Sequence, residues 1–321
     1  MSIKKPAAGC PVCGAHGLHI FQSAYDDRYG YPGTFPLQRC SVCRHVHLQV
    51  SFSPESMRDL YSSYYPRSVF NVEDHRPHKE ISGFKAWFDG VKSSTFRWVP
   101  GNVRVLDIGC GFGESLGYHL ARGCDVYGVE ADENIRRVAD RYGYKVHVGL
   151  FDPDAYEEDY FDYVTMDQVI EHVSDPVQTV KGIERVLKPG GLAILSTPNA
   201  QGWGARLFKS RWIHWHAPYH QQFFSMESMR ITAEKAGFEF VESRTITNSA
   251  WLHYQWMHLL TIPVPGKPSM FWSAGGRVGI ARRTLIKGFK IVNRLKINHI
   301  ITRFFDLIGV GDNRVYFLRK I

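Results

Sequence analysis

From about residue 100 onward, short apolar runs alternate with stretches whose apolar residues recur every three or four positions. Val103–Ile108, Asp125–Glu130, Lys145–Leu150, Tyr160–Met166, Leu192–Ser196 and Phe238–Arg244 read as strands, with Arg314–Leu318 as a last one. Between them, Glu114–Arg122, Asn134–Tyr142, Pro176–Leu187 and Met226–Ala236 read as helices. Lys188-Pro189-Gly190-Gly191 closes the third helix and Gly237 the fourth. Strands and helices in alternation predict an α/β fold, a parallel sheet covered on both faces. Ahead of it, Ile81, Phe84, Phe88 and Val91 predict a helix over 78–98. Residues 54–77 hold Tyr61, Tyr64 and Tyr65, keep no period, and read as a connector with a short helix near Glu55–Leu60.

The 321 residues exceed one ordinary domain, and a 44% hydrophobic content excludes a disordered or fibrous chain. No run of roughly 18 apolar residues occurs, and the opening residues lack the apolar stretch of a secretory signal, so a cytosolic protein is expected. The net charge of +8 is unevenly spread. Residues 1–100 hold 12 basic and 8 acidic side chains, 101–250 hold 15 and 21, and 251–321 hold 12 and 2. An acidic middle disfavours a catalytic region lying along nucleic acid, and the basic end needs its own explanation.

The segment from Val103 to Gly113 passes from strand into a glycine turn, where glycines bring backbone close to a ligand and present amides at a helix start. Gly109, Gly111 and Gly113 follow a Gly-x-Gly-x-Gly spacing, not the Gly-x-Gly-x-x-Gly of dinucleotide loops, and Asp107 stands at the strand end. A carboxylate there repels a pyrophosphate and attracts an ammonium or sulfonium, which predicts a cationic cofactor. Glu130 ends the next strand, where a carboxylate accepts both hydroxyls of a ribose.

With these residues in place, the sequence resembles the class I S-adenosylmethionine-dependent methyltransferases over roughly residues 80–246. Leu106-Asp107-Ile108-Gly109-Cys110-Gly111-Phe112-Gly113 resembles their cofactor loop, and Val129-Glu130-Ala131-Asp132 their ribose acid. Phe161–Met166 with Gln168–Val173 is similar to their fourth strand and its turn, and Val186–Gly191 with Ser196–Asn199 to the turns flanking the fifth. The resemblance implies a Rossmann-like, seven-stranded, mostly parallel sheet whose last, antiparallel strand is Arg314–Leu318. It implies S-adenosyl-L-methionine as cofactor, with Gly149, Leu150 and Phe151 flanking the adenine and Met166, Asp167 and Gln168 near the methionine part.

Cys10-x-x-Cys13 and Cys40-x-x-Cys43 supply four soft ligands, the set of a closed structural zinc site. Their separation of 26 residues is longer than usual, Arg44 stands where a glycine is common, and His16, His45 or His47 could replace one cysteine. Cys110 and Cys124 read as core residues. Some bacterial methyltransferases, including polysaccharide-modifying ones, carry a similar zinc-ribbon-like module, and Asp27–Gly33 resembles the loop between their cysteine pairs. The chain then divides into a zinc module (1–52), a connector (53–98), a cofactor-binding core (99–246), a helical insertion (247–311) and the last strand (312–321).

Methyl transfer to a hydroxyl or carbon acid needs a base, and His172 and Glu171 follow the fourth strand of the core at the sheet edge where ligands bind. Glu171 could instead favour a helix start. Residues 212–224 hold His214, His216 and His220 among aromatics, making His216 and His220 acceptor or base candidates, against a reading as a packed aromatic loop. With no carboxylate nearby in sequence, a metal is disfavoured there, and Asn199 is a candidate to bind the acceptor. A helix at 277–305 would set Arg283, Lys287, Lys290 and Arg294 opposite Ala281, Leu285, Phe289 and Val292. That helix either contacts an anionic membrane surface peripherally, at the inner face, or covers the site as a lid. The leading expectation is O- or C-methylation of a small-molecule or lipid-linked acceptor such as a cell-envelope saccharide. An RNA methyltransferase is the alternative, and a non-catalytic binding module is disfavoured by the intact Asp107, Gly109, Gly111 and Glu130.

Overall fold

The computed structural model describes residues 3–4, 9–52, 56, 59–64, 72–272 and 280–321. An antiparallel ribbon comes first, with strands β1 (Leu18–Ala24), β2 (Phe35–Cys40) and β3 (Val46–Leu48). The core follows with β4 (Arg104–Ile108), β5 (Asp125–Glu130), β6 (Lys145–Val148), β7 (Phe161–Asp167) and β8 (Leu187–Pro198). The two-residue β9 (Gln222–Phe223) leaves this sheet and pairs with β3, so the core lends a strand to the ribbon. With β10 (Phe238–Thr245) and β11 (Asn313–Lys320) the core sheet has seven strands, ordered β10-β11-β8-β7-β4-β5-β6. β11 runs antiparallel to both neighbours, as expected of the last strand.

Helices α1 (Gly83–Asp89), α2 (Glu114–Leu120), α3 (Ile135–Tyr142), α4 (Pro176–Val186), α5 (Trp203–Phe208) and α6 (Met226–Lys235) accompany the sheet. Alternate residues of each strand feed opposite cores. Leu106, Val164 and Leu195 pack with Val180 and Ile183 of α4 and Met229 of α6, while Val105, Ile194 and Val315 pack with Leu116 of α2 and Val138 of α3. Asp175 caps α4 by accepting the Gln178 N–H, with Pro176 in the first turn, and Ser225 with Ser228 forms a capping box for α6.

Three expectations change. The helix over 78–98 shrinks to α1 and two short turns, because Gly90 takes φ +70° with its Cα against the Thr247 carbonyl, which ends the helix. Lys188-Pro189-Gly190-Gly191 is not a closing turn but a bulge inside β8, where the register with β7 shifts. The helix at 277–305 is two helices, α8 (Ile280–Arg294) and α9 (Ile297–Leu307), broken where Lys296 takes φ +61°. Residues 277–279 lie outside the described residues, as do Glu55, Met57 and Arg58 of the connector helix and Tyr65. The insertion also contains α7 (Ala250–Thr261), on which Phe289 of α8 stacks through Trp256 at 5.3 Å.

Candidate active site

The loops after β4, β5, β6 and β7 gather at the C-terminal edge of the parallel strands, where open α/β sheets bind ligands. Gly109, Gly111 and Gly113 take φ of +77°, +56° and +82°. A Cβ on Gly109 would collide with Val169, so glycine alone lets the loop lie this close to the turn after β7. Glu130 ties the loop down, accepting the Gly111 N–H at 2.9 Å and the Asp132 N–H at 2.9 Å. Ala131, Leu150 and Phe151 follow β5 and β6 at the same edge, with Leu150 82% exposed and Phe151 packed on Tyr156. The side chains of Cys110 and Met166 are buried in the cores, so these two residues border the crevice only through their backbone.

Asp107 differs from its expected role. It is 4% exposed, and its carboxylate accepts the hydroxyls of Ser115 and of Thr165, the latter at 2.7 Å. It therefore lies beneath the loop rather than facing a ligand, and it acts on the crevice as a charge through space. Burial pushes its carboxyl up to about 6. Burial likewise pushes Asp167 up to about 7, despite the Ser94 and Ser196 hydroxyls beside it. Asp167, Gln168, His214, Asn248 and Trp251 line a cavity of about 70 Å³. Both carboxyls lose negative charge progressively as the pH falls through these values, and with it their attraction for a cation. Adenosylhomocysteine, which carries an ammonium, is expected to bind roughly tenfold tighter at pH 7.5 than at pH 5.5. Calorimetry in two buffers of different ionisation enthalpy reads both the affinity and the proton released, and a flat profile would exclude these carboxyls.

After β7 the structure brings together Glu171, His172 and His220, with the His216 ring 5.0 Å from that of His220. Burial drives His172 to about 4 and His214 to about 3, and drives His216 and His220 well below the usual histidine range. The Arg28 charge adds to each of these shifts. All four rings are neutral at pH 7. Asn199 takes no part: its side-chain amide donates to the Gly311 carbonyl at 2.7 Å and its oxygen accepts the Gln201 N–H, which ties β8 to the end of the insertion.

Arg28, Tyr29 and Tyr61 complete this cluster, although no motif marked them individually. Asp26 accepts the N–H groups of Arg28, Tyr29 and Tyr31 and so shapes the loop between the cysteine pairs. Arg28 donates to the Ile213 carbonyl at 2.6 Å and lies over Trp272, Tyr29 meets His216 and Tyr219 edge-on, and the Tyr61 hydroxyl is 3.2 Å from His172 Nδ1. The signal available in sequence was the Asp-Asp-Arg-Tyr turn at 26–29.

The four cysteines of the two pairs form one cluster, with Sγ atoms 3.5 Å apart for Cys10 with Cys43 and for Cys13 with Cys40. Four sulfurs around one tetrahedral ion at metal–sulfur distances of about 2.3 Å lie about 3.8 Å apart, so the set fits a zinc-sized ion. Arg44 does the work of the missing glycine: it takes φ +61° where Gly14 takes φ +82°, and the Gly14 and Arg44 N–H groups donate to Cys10 and Cys40 in matching turns. No histidine replaces a cysteine in this cluster, and His45 instead bonds Gln222 at 2.9 Å.

The sequence profile of a family described as "Methyltransferase domain" matches residues 84–243. A ubiquinone biosynthesis O-methyltransferase of Aromatoleum aromaticum is 35% identical over 142 residues, covering 40% of this chain and 60% of that protein. One of Ruegeria sp. is 30% identical over 155 residues, covering 44% and 62%. The chain thus spans about six tenths of the length of these curated relatives. Among solved structures, an S-adenosylmethionine-dependent methyltransferase from Archaeoglobus fulgidus is 17% identical, with a TM-score of 0.43 over 70% of this chain and 89% of that one.

Proposed function

We propose, from the premise that this chain carries a methyltransferase domain over residues 84–243, that it methylates a hydroxyl oxygen of a small, lipid-carried acceptor using S-adenosyl-L-methionine. The observation that carries the reading is that the glycine loop held by Glu130 lies against Val169, two residues before Glu171 and its buried histidines. Gly109, Gly111 and Gly113 would hold the cofactor by their backbone, Glu130 would turn to its ribose, and Asp167 would face its cationic end. When bound, the cofactor supplies an electrophilic methyl group on a sulfonium. The chain's part is to align the acceptor oxygen and manage its proton. Neutral imidazoles of His172, His216 and His220 sit where that proton leaves. The oxygen acceptor draws support from relatives named as O-methyltransferases, whereas a cell-envelope saccharide has no such support. The four cysteines would hold a structural Zn²⁺ that fixes the loop carrying Arg28 and Tyr29.

Support for a lipid-borne acceptor comes from α9, one face of which is inverted. It buries Asn298, His299, Thr302 and Arg303 and exposes Ile300 (59%), Phe304 (56%) and Leu307 (71%) along one stripe. Arg303 is satisfied inside by Asp306 and the Thr247 carbonyl, so the inversion is built rather than accidental. α1, with Phe84 exposed, and α8, with the basic Arg283, Lys287 and Lys290, both pack against α9, a combination suited to an anionic bilayer surface. On α8 the expected stripe is divided: Phe289 packs on Trp256 of α7, while Leu285 is 52% exposed. No helix among the described residues is long and apolar enough to cross a membrane. The test is methyl transfer from tritiated cofactor to hydroxylated aromatic acceptors, either water-soluble or prenylated in anionic vesicles. Labelling should concentrate in the vesicles, and Phe304→Asp should remove that preference while sparing the soluble reaction. Equal labelling of both forms would sink the lipid reading, and label on carbon or nitrogen the oxygen reading.

A further inference from the structure

Arg28 lies between the two cysteine pairs, outside the residues that match the methyltransferase family, yet it is 5% exposed and held against the histidine loop. Its guanidinium donates to the carbonyl of Ile213, the residue before His214, and lies 4.3 Å over the Trp272 ring. Next to it, the Tyr29 ring is 5.7 Å from that of His216. The insertion holds this loop in place: Ser269 donates its N–H to the Arg28 carbonyl at 2.8 Å, and the Tyr25 hydroxyl donates to the Pro263 carbonyl at 2.8 Å. A buried guanidinium is costly, and a carbonyl and an aromatic face hold it without cancelling its charge.

The acids beside Arg28 in sequence are engaged elsewhere. Asp26, whose pKa burial raises, accepts three backbone N–H groups. An indole can only donate, so Trp272 Nε1–H at 3.4 Å places the His258 proton on Nε2, which faces Asp27 at 3.1 Å. Burial pushes the Glu171 carboxyl up to about 8, although the Thr197 hydroxyl and a backbone N–H favour its charge, so its neutral form prevails at pH 7. His172, His214, His216 and His220 are neutral and all feel the Arg28 charge. The field over the histidine loop is positive, and burial leaves it poorly screened.

We propose that Arg28 is a specificity-determining residue for the acceptor: it selects a hydroxyl that ionises near neutrality, as aromatic and enolic hydroxyls do and aliphatic alcohols do not, and holds it as the oxyanion. This rests on the O-methylation reading and deepens it. A carbonyl can only accept, so His172 Nδ1–H donates to Tyr219 at 3.0 Å and His220 Nδ1–H donates to His214 at 2.8 Å, which leaves each ring a lone pair on Nε2. That lone pair accepts a hydrogen bond from the incoming hydroxyl, but rings this weakly basic pass the proton on to water. In the field of Arg28 the oxyanion then bonds the methyl carbon as the carbon–sulfur bond breaks, and that bond's electron pair stays on sulfur.

The test is the ionisation of 4-nitrophenol, whose anion is yellow, bound to the full chain with its cysteine site filled by zinc and its cofactor site filled by adenosylhomocysteine. The bound probe should ionise at a pH about one below that of the free probe, a roughly tenfold preference for the anion. Arg28→Met should abolish this difference and Arg28→Lys should keep most of it, with zinc content and circular dichroism checking that the ribbon stays folded. No binding of the probe, a bound probe that ionises no more readily than the free one, or a difference that persists in folded Arg28→Met protein overturns the proposal. A bound anion without methyl transfer to any phenolic oxygen keeps the anion site and removes the O-methylation reading instead.

Discussion

Replacing Glu130 with glutamine is expected to weaken adenosylhomocysteine binding by roughly 10–100-fold, the equivalent of about 1.5–3 kcal/mol for a charged hydrogen bond lost to neutrality. Without a ligand, Glu130 spends both oxygens on the Gly111 and Asp132 N–H groups, and burial raises its pKa. Glutamine keeps one acceptor oxygen for the loop but presents an N–H₂ to the other donor, so the loop geometry and the ribose contact suffer together. Calorimetric titration of the Glu130→Gln protein reads the effect, and thermal unfolding separates it from damage to the fold. A change below threefold would mean that this acid only pins the glycine loop.

Removing the metal from the cysteine cluster should have the largest effect on stability. Cys40→Ser is expected to lose one equivalent of zinc and to destabilise the chain by more than about 4 kcal/mol in denaturant unfolding. The cluster is not a detachable ornament. Cys10, Cys40 and Cys43 belong to the same buried core as Phe224 and Met229, Ser225 donates to the Cys43 carbonyl at 2.6 Å, and Lys235 donates to that of Val12 at 2.6 Å. Loss of an ion held by these thiols would therefore free a face of α6 as well as the ribbon. Because the loop between the cysteine pairs carries Arg28 and Tyr29 to the histidines, acceptor KM should rise more than cofactor Kd. Elemental analysis paired with unfolding curves checks the first effect, and steady-state kinetics the second. A Cys40→Ser protein that keeps its zinc and its midpoint would remove the structural role.

The strands were legible because each is a short apolar run bounded by turn residues; β5 begins and ends where the pattern places it, and β4, β7 and β11 lie within a residue or two. The same patterns misjudged residues 78–98 and 277–305, where single left-handed residues, Gly90 and Lys296, interrupt otherwise helical spacing. Lys296 gives no warning, since lysine favours helices and its conformation is imposed by the packing of α9 on α1 and α7. For α9 the periodicity is real but its sense is reversed. A hydrophobic wheel assumes that the apolar face turns inward, whereas here Arg303, Asp306 and His299 are satisfied inside by partners remote in sequence, such as Thr247 and Asp89.

The sequence by itself determined the succession of strands and helices along the core, the glycine turn with its acids and the four thiol ligands, because each is written in residues close together along the chain. Only the tertiary structure decided that Asp107 is buried under the loop, that Asn199 ties down the insertion, and that Glu171 closes on two histidines, one of them nearly fifty residues away. These depend on which side chains desolvate one another across the fold. Burial, which sets both the charge of a carboxyl and the freedom of an imidazole, is a property of packing that local spacing does not encode.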